Sequence, residues 1–141
     1  MFYYEAYPSN DSRPYSLTGK HRFFAYLTKG LGFTVRKKQL KQIGDASSGQ
    51  MSIIEKGNMD VEMAIDIVHN IDRYEEAIFI TGDSDFYALV KHLKSRGKKV
   101  YVMPSRNSVS KELREGSDAY MDLKDIPGIW KKQLKRRGFS E

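Results

Sequence analysis

Ala77-Ile78-Phe79-Ile80-Thr81-Gly82-Asp83-Ser84-Asp85-Phe86 is the stretch on which the fold turns. Its first half is an apolar, β-branched run of strand length. Gly82 allows a tight turn. Ser84 to Arg96 then has helical spacing, with Phe86, Leu89, Val90 and Leu93 on one face and Gly97 as the stop. A strand that runs through a short turn into an amphipathic helix is one half of a β-α-β unit. In an open parallel sheet, ligands bind beyond the carboxyl ends of the strands. Asp83 and Asp85 therefore leave the strand at the place where chemistry is expected, and amides at the helix start could meet a phosphate. Asp and Ser at a helix start are also ordinary caps, worth about 1 kcal/mol. One cap explains one of these residues, not two aspartates and a hydroxyl after a glycine.

Outward from this stretch the alternation continues. Downstream come a strand at Val100–Met103, a helix at Ser108–Glu115, a strand at Ala119–Leu123 and, beyond Pro127, a basic helix at Ile129–Arg137 around Trp130. Upstream, Asn58 to about Ile71 reads as a helix, with Val61, Ala64, Ile65 and Val68 forming a buried face. Asp45–Gln50 is a Gly/Ser loop. Phe33–Leu40 is a strand with a basic end. Ser16 caps a helix reaching about Leu31, with Phe23, Phe24, Leu27 and Leu31 inward, and Phe2–Tyr7 is a first strand. Strands alternating with helices predict an α/β domain. It is a three-layer α/β/α sandwich with a mainly parallel sheet.

Composition narrows the function. The 141 residues contain no cysteine, which excludes disulfides, a thiol nucleophile and Cys-ligated zinc. His21, His69 and His92 fall on separate helices without metal-ligand spacing. No apolar run approaches the roughly 18 residues of a membrane span, and Met1–Tyr7 lacks a basic n-region. A cytoplasmic protein is expected. Lys131, Lys132, Lys135, Arg136 and Arg137 against Glu141 alone give residues 128–141 a charge of +4, most of the chain's net +6. Such a tail suits a polyanion, most often nucleic acid; it equally suits a solvated end that aids solubility. Residues 1–127 are expected as the domain and 128–141 as a basic tail. Ser105-Arg106-Asn107-Ser108 could touch phosphate, although such a segment is more often a turn and cap.

A second acidic feature is Glu55-Lys56-Gly57-Asn58-Met59-Asp60. Asp60 opens the long helix, where it also suits the helix dipole. Asp66 lies about 120° around the axis from Asp60 and reads as a companion of Glu62 on a solvated face.

The block from Lys56 to Leu123 resembles the NYN domain family, the LabA-like branch of the PIN-type nucleases. The resemblance rests on Lys56-Gly57-Asn58-Met59-Asp60-Val61 with Ala64-Ile65-Asp66, then on Ile80-Thr81-Gly82-Asp83-Ser84-Asp85-Phe86. Gly97-Lys98-Lys99-Val100, Glu112-Leu113 and Asp118-Ala119-Tyr120-Met121-Asp122-Leu123 continue it. It implies an α/β/α fold, an acidic pocket holding Mg²⁺ or Mn²⁺, and hydrolysis of RNA phosphodiesters. Carried over, Asp60, Asp83 and Asp85 are the catalytic and metal-binding candidates, and Thr81 and Ser84 are phosphate contacts. Asp66 matches a frequent family aspartate of open role. The chemistry is self-consistent: clustered carboxylates repel unless a cation neutralises them, and Mg²⁺ needs only one or two direct carboxylates.

The family normally opens with a hydrophobic strand ending in aspartate, and residues 1–141 do not contain it. The domain is therefore expected to be N-terminally incomplete, with another segment or a second copy of the chain filling the gap. Two readings stay open. One is a metal-dependent ribonuclease, inactive as it stands without that aspartate. The other is a non-catalytic RNA-binding or regulatory module on the same fold. A haloacid-dehalogenase-type phosphatase would need a DxDx[TV] loop that is absent.

Overall fold

The structure is a computed structural model and describes residues 1–8, 16–45, 52–105 and 109–129. The expectations for Arg106, Asn107 and Ser108, and for the basic helix from Trp130 on, lie outside these residues. So does most of the Asp45–Gln50 loop. The chain divides into two units, Met1–Asp66 and Ile67–Glu141.

The first unit opens as strand, helix, parallel strand. β1 (Phe2–Tyr7) pairs in parallel with β2 (Thr34–Gln39), from Phe2 opposite Thr34 to Tyr7 opposite Gln39. The crossover is α1 (Thr18–Ala25), which runs on into a π-helical turn at Tyr26–Gly30. The cap position is Leu17, without a side-chain cap bond, and not the expected Ser16, whose Oγ, one residue earlier, accepts from the Thr18 amide at 3.1 Å. Phe24 and Leu27 are buried, whereas Phe23 and Leu31 are exposed. The predicted face is therefore only half used.

The chain then forms a hairpin not expected from sequence. β3 (Lys41–Asp45) and β4 (Ser52–Lys56) are antiparallel, with Lys41 opposite Lys56. After it comes α2 (Asp60–His69), where the expected burial is reversed. Val61 and Ile65 are 65% and 60% exposed, and Val68 is exposed too. The physical reason lies on the neighbouring side of the helix. Glu62 accepts from Lys38 Nζ at 2.6 Å, and Asp66 takes the Arg36 guanidinium through both oxygens, at 3.0 and 3.2 Å. Ion pairs to β2 orient α2 and leave its apolar stripe outward. Asp66 also accepts from the Tyr4 hydroxyl at 3.0 Å. It is a bridge to β1 and β2, not a solvated companion of Glu62.

The second unit contains a three-stranded parallel sheet ordered β5-β6-β7, from β5 (Glu76–Phe79), β6 (Lys99–Val102) and β7 (Ala119–Tyr120). α3 (Tyr87–Ser95) and α4 (Lys111–Gly116) are the crossovers. Phe79, Val90, Leu93, Val100, Val102 and Leu113 form its core. A Cβ on Gly116 would stand 2.5 Å from the Tyr87 ring, so the end of α4 approaches α3 through glycine. On the opposite face Ile78 and Ile80 are 58% and 62% exposed, and β5 has a strand neighbour on one side only among the described residues.

Asp118 ties α3 to the sheet. One oxygen accepts from the Val100 amide at 2.8 Å and the other meets Lys94 Nζ at 3.0 Å. The Val100 amide and then Lys94 hold its carboxyl below the usual aspartate value. A depressed folded value means its contribution is present above the unfolded value of about 3.9 and is lost as pH falls through the folded value. Stability is thus expected to drop below about pH 4. Asp118→Asn should flatten that acid limb in urea melts taken across pH; an unchanged limb would assign the loss to other carboxylates.

Candidate functional site

The second unit places Asp83 and Asp85 as its sequence foretold. β5 ends at Phe79, and Ile80-Thr81-Gly82 carries the chain beyond the carboxyl end of the sheet. A single 3-10 turn, Ser84–Phe86, then leads into α3. Asp83 is the cap of that turn: its Oδ1 accepts from the Asp85 amide at 3.0 Å. The Asp83 amide donates to Thr81 Oγ1 at 3.2 Å, and the Phe86 amide to the Asp83 carbonyl at 3.3 Å. Gly82 is not in a left-handed conformation; its carbonyl instead accepts from the Ser110 amide at 3.1 Å, fastening the start of α4 to the loop.

The turn is thus braced from within. The amides of Asp83, Asp85 and Phe86 are spent on the loop itself, so they are not the ready phosphate cradle that the sequence predicts. Thr81 uses its oxygen as an acceptor in the brace, and Ser84 stands exposed beside it. Phe86 is buried and anchors the turn to the core, while Asp83 and Asp85 both project into solvent. Two hard oxygen donors one residue apart suit Mg²⁺ or Mn²⁺, which take carboxylates and complete their shells with water. They fall short of a closed cage. Among the described residues, no three side chains of the His, Cys, Asp or Glu kinds gather into a group that could hold a metal.

In the first unit Asp60 opens α2, and Asn58 Nδ2 donates to its Oδ2. Asp66 is committed to Arg36 and Tyr4. The Arg36 guanidinium is held above its ordinary value by Asp66, and burial followed by the Asp66 contact does the same for the Tyr4 phenol. These are the marks of a structural clasp. His21 packs edge-on against Tyr7 and Phe24. No helix among the described residues is long and apolar enough to cross a membrane.

Sequence reasoning missed a half-open surface pocket of about 280 Å³ in the first unit, lined by Lys38, Gln39, Lys41, Ile43, Lys56, Gly57 and Asn58. Its signal was the period-2 spacing of Lys41 and Ile43, which points both to one face once the segment is a strand.

Comparison with known proteins accords with this geometry. The NYN domain family model matches residues 3–124. The chain is 33% identical over 109 residues to the low amplitude and bright protein LabA of Synechococcus elongatus, covering 77% of this chain and 58% of that protein. It is 27% identical over 86 residues to an uncharacterised protein of Methanocaldococcus jannaschii, covering 60% of this chain and 36% of the other. The chain thus spans only part of either relative. Among solved structures, a protein of unknown function from Vibrio parahaemolyticus superposes with a TM-score of 0.64 at 30% identity, over 88% of this chain and 68% of that one.

Proposed function

The chain belongs to the NYN domain family, with an α/β fold of the PIN-like kind, and from that premise we propose that it is a metal-dependent ribonuclease domain acting on RNA phosphodiesters. The observation that carries the reading is the acidic turn after β5. It holds Asp83 rigidly through the Asp85 amide and leaves both carboxylates in solvent. A structural cap alone has no use for the second aspartate.

A bound Mg²⁺ or Mn²⁺ would supply an activated water and neutralise charge on the phosphate. Asp83 and Asp85 would hold the ion; Asp60, in the first unit, is a candidate through the family resemblance alone. Thr81 keeps Asp83 in place through its amide. Ser84 offers a hydroxyl to a phosphate oxygen.

A second reading, an RNA-binding module that does not cut, is favoured by the lack of a three-carboxylate group among the described residues. One experiment separates the two. The 141-residue chain is expected to show negligible Mn²⁺-dependent cleavage of single-stranded RNA. A chain extended upstream by a hydrophobic strand ending in aspartate is expected to gain it. Asp83→Asn in the extended chain should then lower cleavage by at least about a hundredfold, since removing even a group that only orients a metal ligand costs about 10–100-fold. An extended chain that binds RNA without cutting it would establish the binding reading.

The basic tail contributes in either case. Removing residues 128–141 takes away Lys131, Lys132, Lys135, Arg136 and Arg137. It should flatten the dependence of log affinity for single-stranded RNA on log salt, by about 0.7 for each phosphate no longer neutralised. An unchanged slope assigns the tail to solubility alone.

A further inference from the structure

Lys41 and Lys56 occupy directly opposed positions on the β3–β4 ladder. Like charges so placed destabilise a hairpin, because their Cβ atoms sit only about 5 Å apart. Neither lysine has an acidic partner among the described residues. Both line the first unit's pocket, and Lys38 joins them from the end of β2. Lys38 is the one lysine of the three with a counter-charge, from Glu62. Among the described residues the lining therefore carries an excess of positive charge that the protein itself leaves uncompensated.

The place and size of the pocket agree with its charge. Lys38 and Gln39 stand at the carboxyl end of the parallel pair β1–β2, the side of such a sheet where ligands collect. The volume of about 280 Å³ lies just under the roughly 300–1,000 Å³ of pockets for whole small molecules. It suits a single ionic group with some of its water. Asn58 adds an amide to the lining while its Nδ2 donates to Asp60. Gly57 keeps the wall thin: a Cβ there would stand 3.1 Å from Leu40 Cδ2.

The geometry points to a phosphate-binding site formed by Lys38, Lys41 and Lys56, with a phosphodiester of single-stranded RNA as its source. The site rests on the RNA reading for that source, though not for its affinity for phosphate. Seated there, a phosphate removes the repulsion between Lys41 and Lys56. It also lies next to the residue that positions Asp60, so the same pocket would register the RNA strand against one of the proposed catalytic carboxylates.

The test uses the full 141-residue chain, Lys41→Gln/Lys56→Gln, and Lys41→Arg/Lys56→Arg as the charge-preserving control. Binding of a fluorescein-labelled single-stranded RNA is followed by anisotropy in EDTA from 50 to 300 mM KCl, conditions on the order of those where phosphate contacts dominate. The double Gln variant should bind roughly fivefold more weakly near 0.1 M salt, and its log–log salt slope should fall by about 0.7, the value for one phosphate. The double Arg variant should keep the parental slope. In a second arm, melting temperatures are compared in sodium phosphate and in sodium chloride of equal ionic strength. The parental chain should gain in phosphate and the double Gln variant should not. If the parental chain binds RNA and the double Gln variant matches its affinity and slope, the site is overturned while the RNA reading stands. If the lysine-dependent gain in phosphate appears but RNA is not bound, the site stands for free phosphate and the RNA reading falls.

Discussion

Replacing Asp83 with asparagine is expected to abolish stabilisation of the chain by Mn²⁺ while leaving the metal-free melting temperature unchanged. The two halves of this result come from different atoms. Asparagine and aspartate are equally good caps, and an asparagine Oδ1 can still accept from the Asp85 amide. The turn, and with it the entry into α3, should therefore survive. The negative charge that favours a cation does not. With a dissociation constant near 1 mM, 10 mM Mn²⁺ would stabilise the parental protein by about 1.4 kcal/mol. That corresponds to a rise of roughly 4–7 °C for a domain of this length. Differential scanning fluorimetry in Mn²⁺ and in EDTA reads both quantities. A variant that still responds fully to Mn²⁺ would show that the ion binds elsewhere and would remove the acidic turn from the proposal.

Leu93→Ala should cost about 2–5 kcal/mol, the range for truncating a fully buried leucine. Leu93 is completely buried on α3, within the core that also holds Val90, Val100 and Val102. Its removal also undermines the turn at Ser84–Phe86, because α3 follows that turn directly. Against a typical domain stability of about 5–15 kcal/mol this is a large fraction. Ile65→Ala is the informative counterpart. Sequence periodicity alone places Ile65 in a core, yet it is 60% exposed, and truncation there should change stability by no more than about 0.5 kcal/mol. Equal losses in the two variants, measured by urea unfolding, would mean that the α2 stripe is covered after all.

Most of the α/β alternation was legible because its signals are local. The apolar run of β5, the Phe86, Val90 and Leu93 spacing and the stop at Gly97 are each decided within a few residues. The placement of Asp83 and Asp85 was legible for the same reason: it follows from one strand end and one turn. What escaped was whatever depends on partners distant in the chain. The apolar stripe of α2 predicts burial, but the ion pairs of Glu62 to Lys38 and of Asp66 to Arg36 decide which side meets the sheet. The β3–β4 hairpin has only a weak signature, with polar residues interleaved and a glycine at Gly44 inside a strand. Linear spacing puts Lys41 and Ile43 on one face, but Lys41 and Lys56 come together only once that hairpin forms, so their pairing leaves no trace in it.

The side of β5 that has no strand neighbour among the described residues bears on how the protein behaves at high concentration. Ala77–Thr81 is uncharged, rich in β-formers and free of proline, the kind of segment that stacks into cross-β aggregates when its edge is accessible. It is flanked by Glu75 and Glu76 on one side and by Asp83 and Asp85 on the other. Charges in these places act as gatekeepers, since successive copies in a stack would bring them together at about 4.8 Å. The carboxylates proposed to bind a cation are then also the ones that keep the strand from self-assembling, and neutralising them serves the first role at the expense of the second.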